Sequence, residues 1–65
     1  MTEAKLKAKE MVDEWGLDMA IIKCKCCLSL SHQLLEVNPT EANSHAFQYW
    51  GDVMDELNDI KQENG

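Results

Sequence analysis

Apolar residues recur along this chain in steps of four and three, the spacing that places side chains on one face of an α-helix. Between Thr2 and Glu14, Ala4, Ala8 and Met11 lead on to Trp15 along one stripe, in a segment rich in strong helix formers. Leu6 falls off that stripe and is expected either exposed or against a second partner. From Asp18 to Val37, the residues Ala20, Cys24, Cys27, Ser31 and Leu34 form a second stripe, widened by Ile21, Leu28 and Leu35. Leu30 and Val37 carry the apolar arc onto its other flank, and solvent keeps a strip of Lys25, Ser29, His32 and Glu36. A helix with so little polar surface is normally covered on two sides. The third segment repeats Ala46, Trp50, Val53, Leu57 and Ile60 in strict alternation, the seam of coiled-coil-like packing, with Phe47 and Met54 flanking it.

The breaks between these segments are equally local. Gly16 is a natural helix stop because it reaches backbone conformations closed to other residues, and Asp18 then serves as the next N-cap. A bent helix running on through Gly16 is the alternative. Asn38-Pro39-Thr40-Glu41 reads as an Asn cap with Pro at the first helical position and Glu at the third, or as a turn with Asn43 or Ser44 capping a later start. The pattern predicts helices over 2–14, 18–37 and 41–61, with Gln62 to Gly65 a frayed tail. The fold class is all-α: one domain over 1–65, either a three-helix bundle or a helical hairpin with an extra N-terminal helix. A core this small supplies only about 3–5 kcal/mol, so completion by dimerisation is expected.

Charge narrows the functions. The net charge is −6 and there is no arginine. Up to Lys25 five lysines balance five acids, whereas beyond it seven acids face Lys61 alone. Phosphate contacts rely on Lys and Arg, and base readout on Arg above all, so direct nucleic-acid binding is not expected. Lys23 and Lys25 interrupt the most apolar region, which falls short of the roughly 20 apolar residues a membrane span needs. The charged N-terminal segment does not read as a signal peptide. Three free cysteines then point to a reducing cytoplasm.

Those cysteines are the first candidate for chemistry. Cys24, Cys26 and Cys27 lie too close together to staple distant parts of a fold. Cys24 and Cys27, with His32, are weak metal candidates: zinc sites usually add a second cysteine pair, and none exists here. Packing as small buried hydrophobes is the plainer reading. Cys27 and His32 are five apart on a helix, poorly placed for a nucleophile–base pair, and no Glu-x-x-His motif of a di-iron bundle occurs. No catalytic residue and no cofactor are expected, and the chain is not expected to be an enzyme.

Binding surfaces are the better candidates. Asp52, Asp55, Glu56 and Asp59 occupy the side of the third helix opposite its seam, an acidic face that is either solvated or docks a basic partner. Tyr49 points about 100° away from its neighbour Trp50, towards the rim of the seam. Gly51, in mid-helix beside Phe47 and Met54, suggests that another helix comes close there. The expected interface residues are Leu6, Leu30, Tyr49, Gly51 and Met54.

The succession Ala8-Lys9-Glu10-Met11-Val12-Asp13, a cysteine-bearing apolar helix, Asn38-Pro39, and Tyr49-Trp50 with Val53 three on resembles a set of small uncharacterised helical proteins. These are encoded by bacteriophages and mobile elements of gut anaerobes. Here the first connection is shorter, and Gly51-Asp52 stands where the family has Gln-Glu after the Trp. The resemblance implies a phage-related accessory context and no site. The expectation is a non-enzymatic helical protein acting through protein–protein contacts, as a homo-oligomer, with an unidentified protein partner a further candidate. An acidic inhibitor or nucleic-acid mimic docking a basic protein is one alternative. A cysteine-based metal or redox-responsive protein is the other.

Overall fold

Helix α1 runs over Glu3–Trp15, α2 over Leu17–Val37 and α3 over Glu41–Asn64 in a computed structural model that describes residues 2–64, leaving Met1 and Gly65 outside the described residues. The chain is an all-α three-helix bundle, with no strand among the described residues. Thr2 starts α1 by accepting a hydrogen bond at its side chain from the Lys5 N–H, 3.2 Å away. That satisfies one of the donors every helix start leaves free.

Gly16 serves two helices at once. Its N–H donates to the Val12 carbonyl and its own carbonyl accepts from the Ala20 N–H, at 2.8 and 3.0 Å. The backbone there has φ +83° and ψ 163°, a region open in practice to glycine alone. The helix therefore breaks where expected, but α2 starts one residue earlier, at Leu17. Asp18 lies in its first turn rather than capping it, and its charge still suits that end.

At the second connection the cap is Thr40, not Asn38, Asn43 or Ser44. The Thr40 hydroxyl accepts from the Asn43 N–H at 3.1 Å, and the Thr40 carbonyl accepts from the Ser44 N–H. Asn43 reaches back with its side-chain amide to donate to the Asn38 carbonyl at 2.7 Å, closing the turn on itself. At its far end α3 continues through Gln62 and Glu63 to Asn64, so those residues form a helix end instead of the frayed tail expected there. Lys61 in the last turn favours this, since it complements the negative end of the helix dipole.

Antiparallel α2 and α3 form a long hairpin, with Cys24 against Trp50 near its middle and His32 against Phe47 farther out. Helix α1 lies parallel to α3: Thr2–Ala4 sit beside Tyr49–Glu56, and Lys5 and Lys9 beside Glu56–Glu63. The core is Ala4, Ala8 and Met11 from α1, Ala20 and Cys24 from α2, and Val53 and Leu57 from α3. Small side chains on α1 and α2 let those helices approach closely. Leu17, Ile21, Tyr49, Trp50 and Ile60 close over this cluster from its edges.

Helix α1 is short, about 20 Å for 13 residues at about 1.5 Å each. The hollows it helps to line reach no farther along α2 than Cys27. The outer part of the hairpin therefore has no third helix over it. Two stripe residues are corrected, Leu34 for this reason and Trp15 because it is the last residue of α1. Leu34 is exposed instead of buried, and Trp15 lies at the bundle edge, 39 % exposed.

Candidate functional site

Among the expected metal ligands, Cys24 is fully buried, Cys27 half-buried and His32 exposed. The Cys24 thiol donates to the Trp50 carbonyl at 3.5 Å. Burial, with Cys27 adding a smaller charge effect, pushes this thiol up to about 11, so it stays protonated at neutral pH. A protonated buried thiol is a packing group and a poor ligand or nucleophile. His32 turns the other way: its ring packs against Phe47 at 5.4 Å, and Nε2 meets Glu36 Oε1 at 3.3 Å. Among the described residues no three His, Cys, Asp or Glu side chains converge as a metal site would require.

The expected interface residues do not share a surface. Leu6 is exposed on the outer side of α1, and Leu30 is exposed on α2. Tyr49 lines a shallow hollow with Thr2, Glu3 and Ala4, its ring edge-on to Trp50 at 5.2 Å. Desolvation, then the nearby Glu3 and Glu10 charges, raise its hydroxyl pKa above the ordinary 10.0. Gly51 and Met54 line a second hollow with Leu28 and Phe47 on the opposite flank of α3. A Cβ added at Gly51 would meet nothing within 4 Å, so no helix of this chain comes close there. The inference of close approach from that glycine is overturned within the chain.

The acidic face is divided as well. Asp52 and Asp55 form a ridge between those two hollows, and no lysine lines either. Glu56, which also lines the first hollow, and Asp59 share a third hollow with Lys5 and Lys9 of α1 and with Glu63. Part of the acidic surface is thus balanced by α1 across a short gap, and the Asp52–Asp55 ridge is not.

What stands out is an apolar stripe along α2. At about 100° per residue, Met19, Ile22, Cys26, Leu30, Leu34 and Val37 fall within an arc of about 120°. The core face of α2 (Ala20, Cys24, Ser31) lies on another side. All six stripe residues are exposed, with Met19 at 46 %, Leu30 at 60 % and Val37 at 85 %. Two polar residues, Lys23 and Gln33, fall within the same arc, and Lys23 carries its Nζ over the Trp15 ring, 4.6 Å from the centroid, in a hollow that Met19, Ile22 and Cys26 also line. The sequence pattern places Leu30 and Val37 on this flank and Leu34 on the core stripe. The positions of Met19, Ile22 and Cys26 around the same helix were the available signal.

No helix among the described residues is long and apolar enough to cross a membrane. No family model matches the chain, and neither a curated protein nor a solved structure is significantly similar to it.

Proposed function

We propose that this is a non-enzymatic helical protein that works by protein–protein contact in the reducing cytoplasm, as a homodimer. The phage-related accessory setting comes from the sequence resemblance alone. One observation carries the reading: five large apolar side chains of α2 stand exposed together, namely Met19, Ile22, Leu30, Leu34 and Val37. Single exposed apolar residues are common on monomers, but a row of them marks an interaction surface. Light scattering across concentration tests it. A solution mass of twice 7.4 kDa is expected, and a mass that stays at the single-chain value up to high concentration would overturn the homodimer.

A second reading, docking of a basic protein, is favoured by the Asp52–Asp55 ridge, whose flanking hollows contain no lysine. The doubly neutralised variant Asp52→Asn/Asp55→Asn separates the two. Under the homodimer reading its mass equals that of the wild type. Under the docking reading, binding to a basic polypeptide such as polylysine weakens and becomes less sensitive to salt.

A further inference from the structure

The α2 stripe has an internal symmetry. Met19 and Val37, Ile22 and Leu34, and Cys26 and Leu30 each stand equidistant from position 28. Laid antiparallel on a second copy and centred there, every apolar side chain of the stripe meets an apolar one. Such self-complementarity is what an isologous two-fold interface requires. The two polar residues within the arc, Lys23 and Gln33, give the same direction. A parallel pairing would set Lys23 against Lys23, whereas the antiparallel one sets it against Gln33. Antiparallel helices also align their dipoles favourably.

Area points the same way. The exposed parts of these side chains leave on the order of 500 Å² of apolar surface per chain, the size of the largest patch on an ordinary monomer, which is often functional. Val37, the most exposed of them, would come to Met19 and the open edge of Trp15, where α1 ends. With that rim included, two such faces approach the roughly 1,200 Å² total at which specific interfaces begin.

We propose that a second copy of this chain covers the stripe, α2 against α2, antiparallel about a two-fold axis beside position 28. This rests on the homodimer reading and adds its surface and register. Cross-linking tests it in a background where Cys26→Ala and Cys27→Ala leave only the buried Cys24. Met19→Cys and Val37→Cys are made as separate proteins and treated with a short bis-maleimide, alone and mixed. The mixture should give a covalent dimer and each protein alone should not, because like positions lie about 27 Å apart along an antiparallel pair. Cross-links within Met19→Cys alone, or none in the mixture, would overturn the arrangement. If wild-type mass is still doubled, the dimer uses another surface and the homodimer reading survives; if it is single, both fall. Leu30→Glu gives an independent readout, since that side chain is exposed and the helical spectrum and cooperative melt of the single chain should persist. Its mass should fall to the single-chain value, whereas Leu6→Glu, on the far side of α1, should keep the doubled mass. A Leu30→Glu protein that remains dimeric would also overturn the proposal.

Discussion

The Cys24 thiol donates to the Trp50 carbonyl across 3.5 Å, tying the middle of α2 to the middle of α3. Because this thiol is buried, its pKa is pushed from 9.0 to about 11, and folding stability acquires a pH dependence. Above pH 9 the unfolded chain releases the Cys24 proton while the folded chain retains it. Stability from this group is therefore complete below pH 9 and declines between 9 and about 11. The loss is on the order of 3 kcal/mol at about 1.4 kcal/mol per pKa unit. Urea midpoints at pH 8 and pH 10.5 should fall more steeply for the wild type than for Cys24→Ala. Equal falls in the two proteins would show that the thiol ionises freely when folded.

Much of this packing was legible in the spacing of residues. Ala4, Ala8 and Met11, then Ala20 and Cys24, then Val53 and Leu57, are the core, and each lies on a stripe that periodicity identifies. Periodicity reports which face of a helix is apolar, but not how far its neighbour extends. Leu34 shares a stripe with Cys24 yet lies past the reach of α1, and Trp15 is the last residue of α1, at the edge of the bundle. The caps were misplaced for a related reason. Several polar residues stood within reach of each helix start, and only tertiary geometry selected Gly16 and Thr40 over Asp18 and Asn38. The interface residues scatter because Leu6, Leu30 and Gly51 belong to three different helices, and the pattern within one helix does not encode how the three sit together.

Gly16→Ala should destabilise the fold. Space is not the obstacle, since an added Cβ meets nothing within 4 Å. The obstacle is φ +83° with ψ 163°, where a Cβ costs about 1–3 kcal/mol of strain. A thermal melt should shift down accordingly, with helical content at low temperature retained. An unchanged melting temperature would mean that α1 and α2 can join by another backbone path.

Reversing charge on α1 should expose the balance across the α1–α3 hollow. Lys5 and Lys9 line it with Glu56, Asp59 and Glu63, without an ion pair within 4 Å among them. Each exposed pairing at such range is worth at most about 1 kcal/mol and is screened by salt. Lys5→Glu/Lys9→Glu should thus lower stability by about 1 kcal/mol in dilute buffer, with most of the loss recovered at 1 M salt. A loss that salt does not relieve would assign it to the contacts that the stems of those side chains make in the hollow.

Gly51→Ala should do the reverse of Gly16→Ala, because the two glycines answer different needs. Gly51 lies inside α3 and has no positive φ, and a Cβ there would point into the open hollow of Leu28, Phe47 and Met54. Glycine in a helix interior costs about 0.5–1 kcal/mol relative to alanine, through the backbone freedom that folding removes. The variant should therefore gain about that much, read as a higher urea midpoint with an unchanged slope. Antiparallel pairing through the α2 stripe should be indifferent to it, since Gly51 lies on a different side of the bundle. If Gly51→Ala instead left the single chain stable but abolished the doubled mass, the hollow beside Phe47 would be the self-association surface, and the α2 stripe would be free for a different protein.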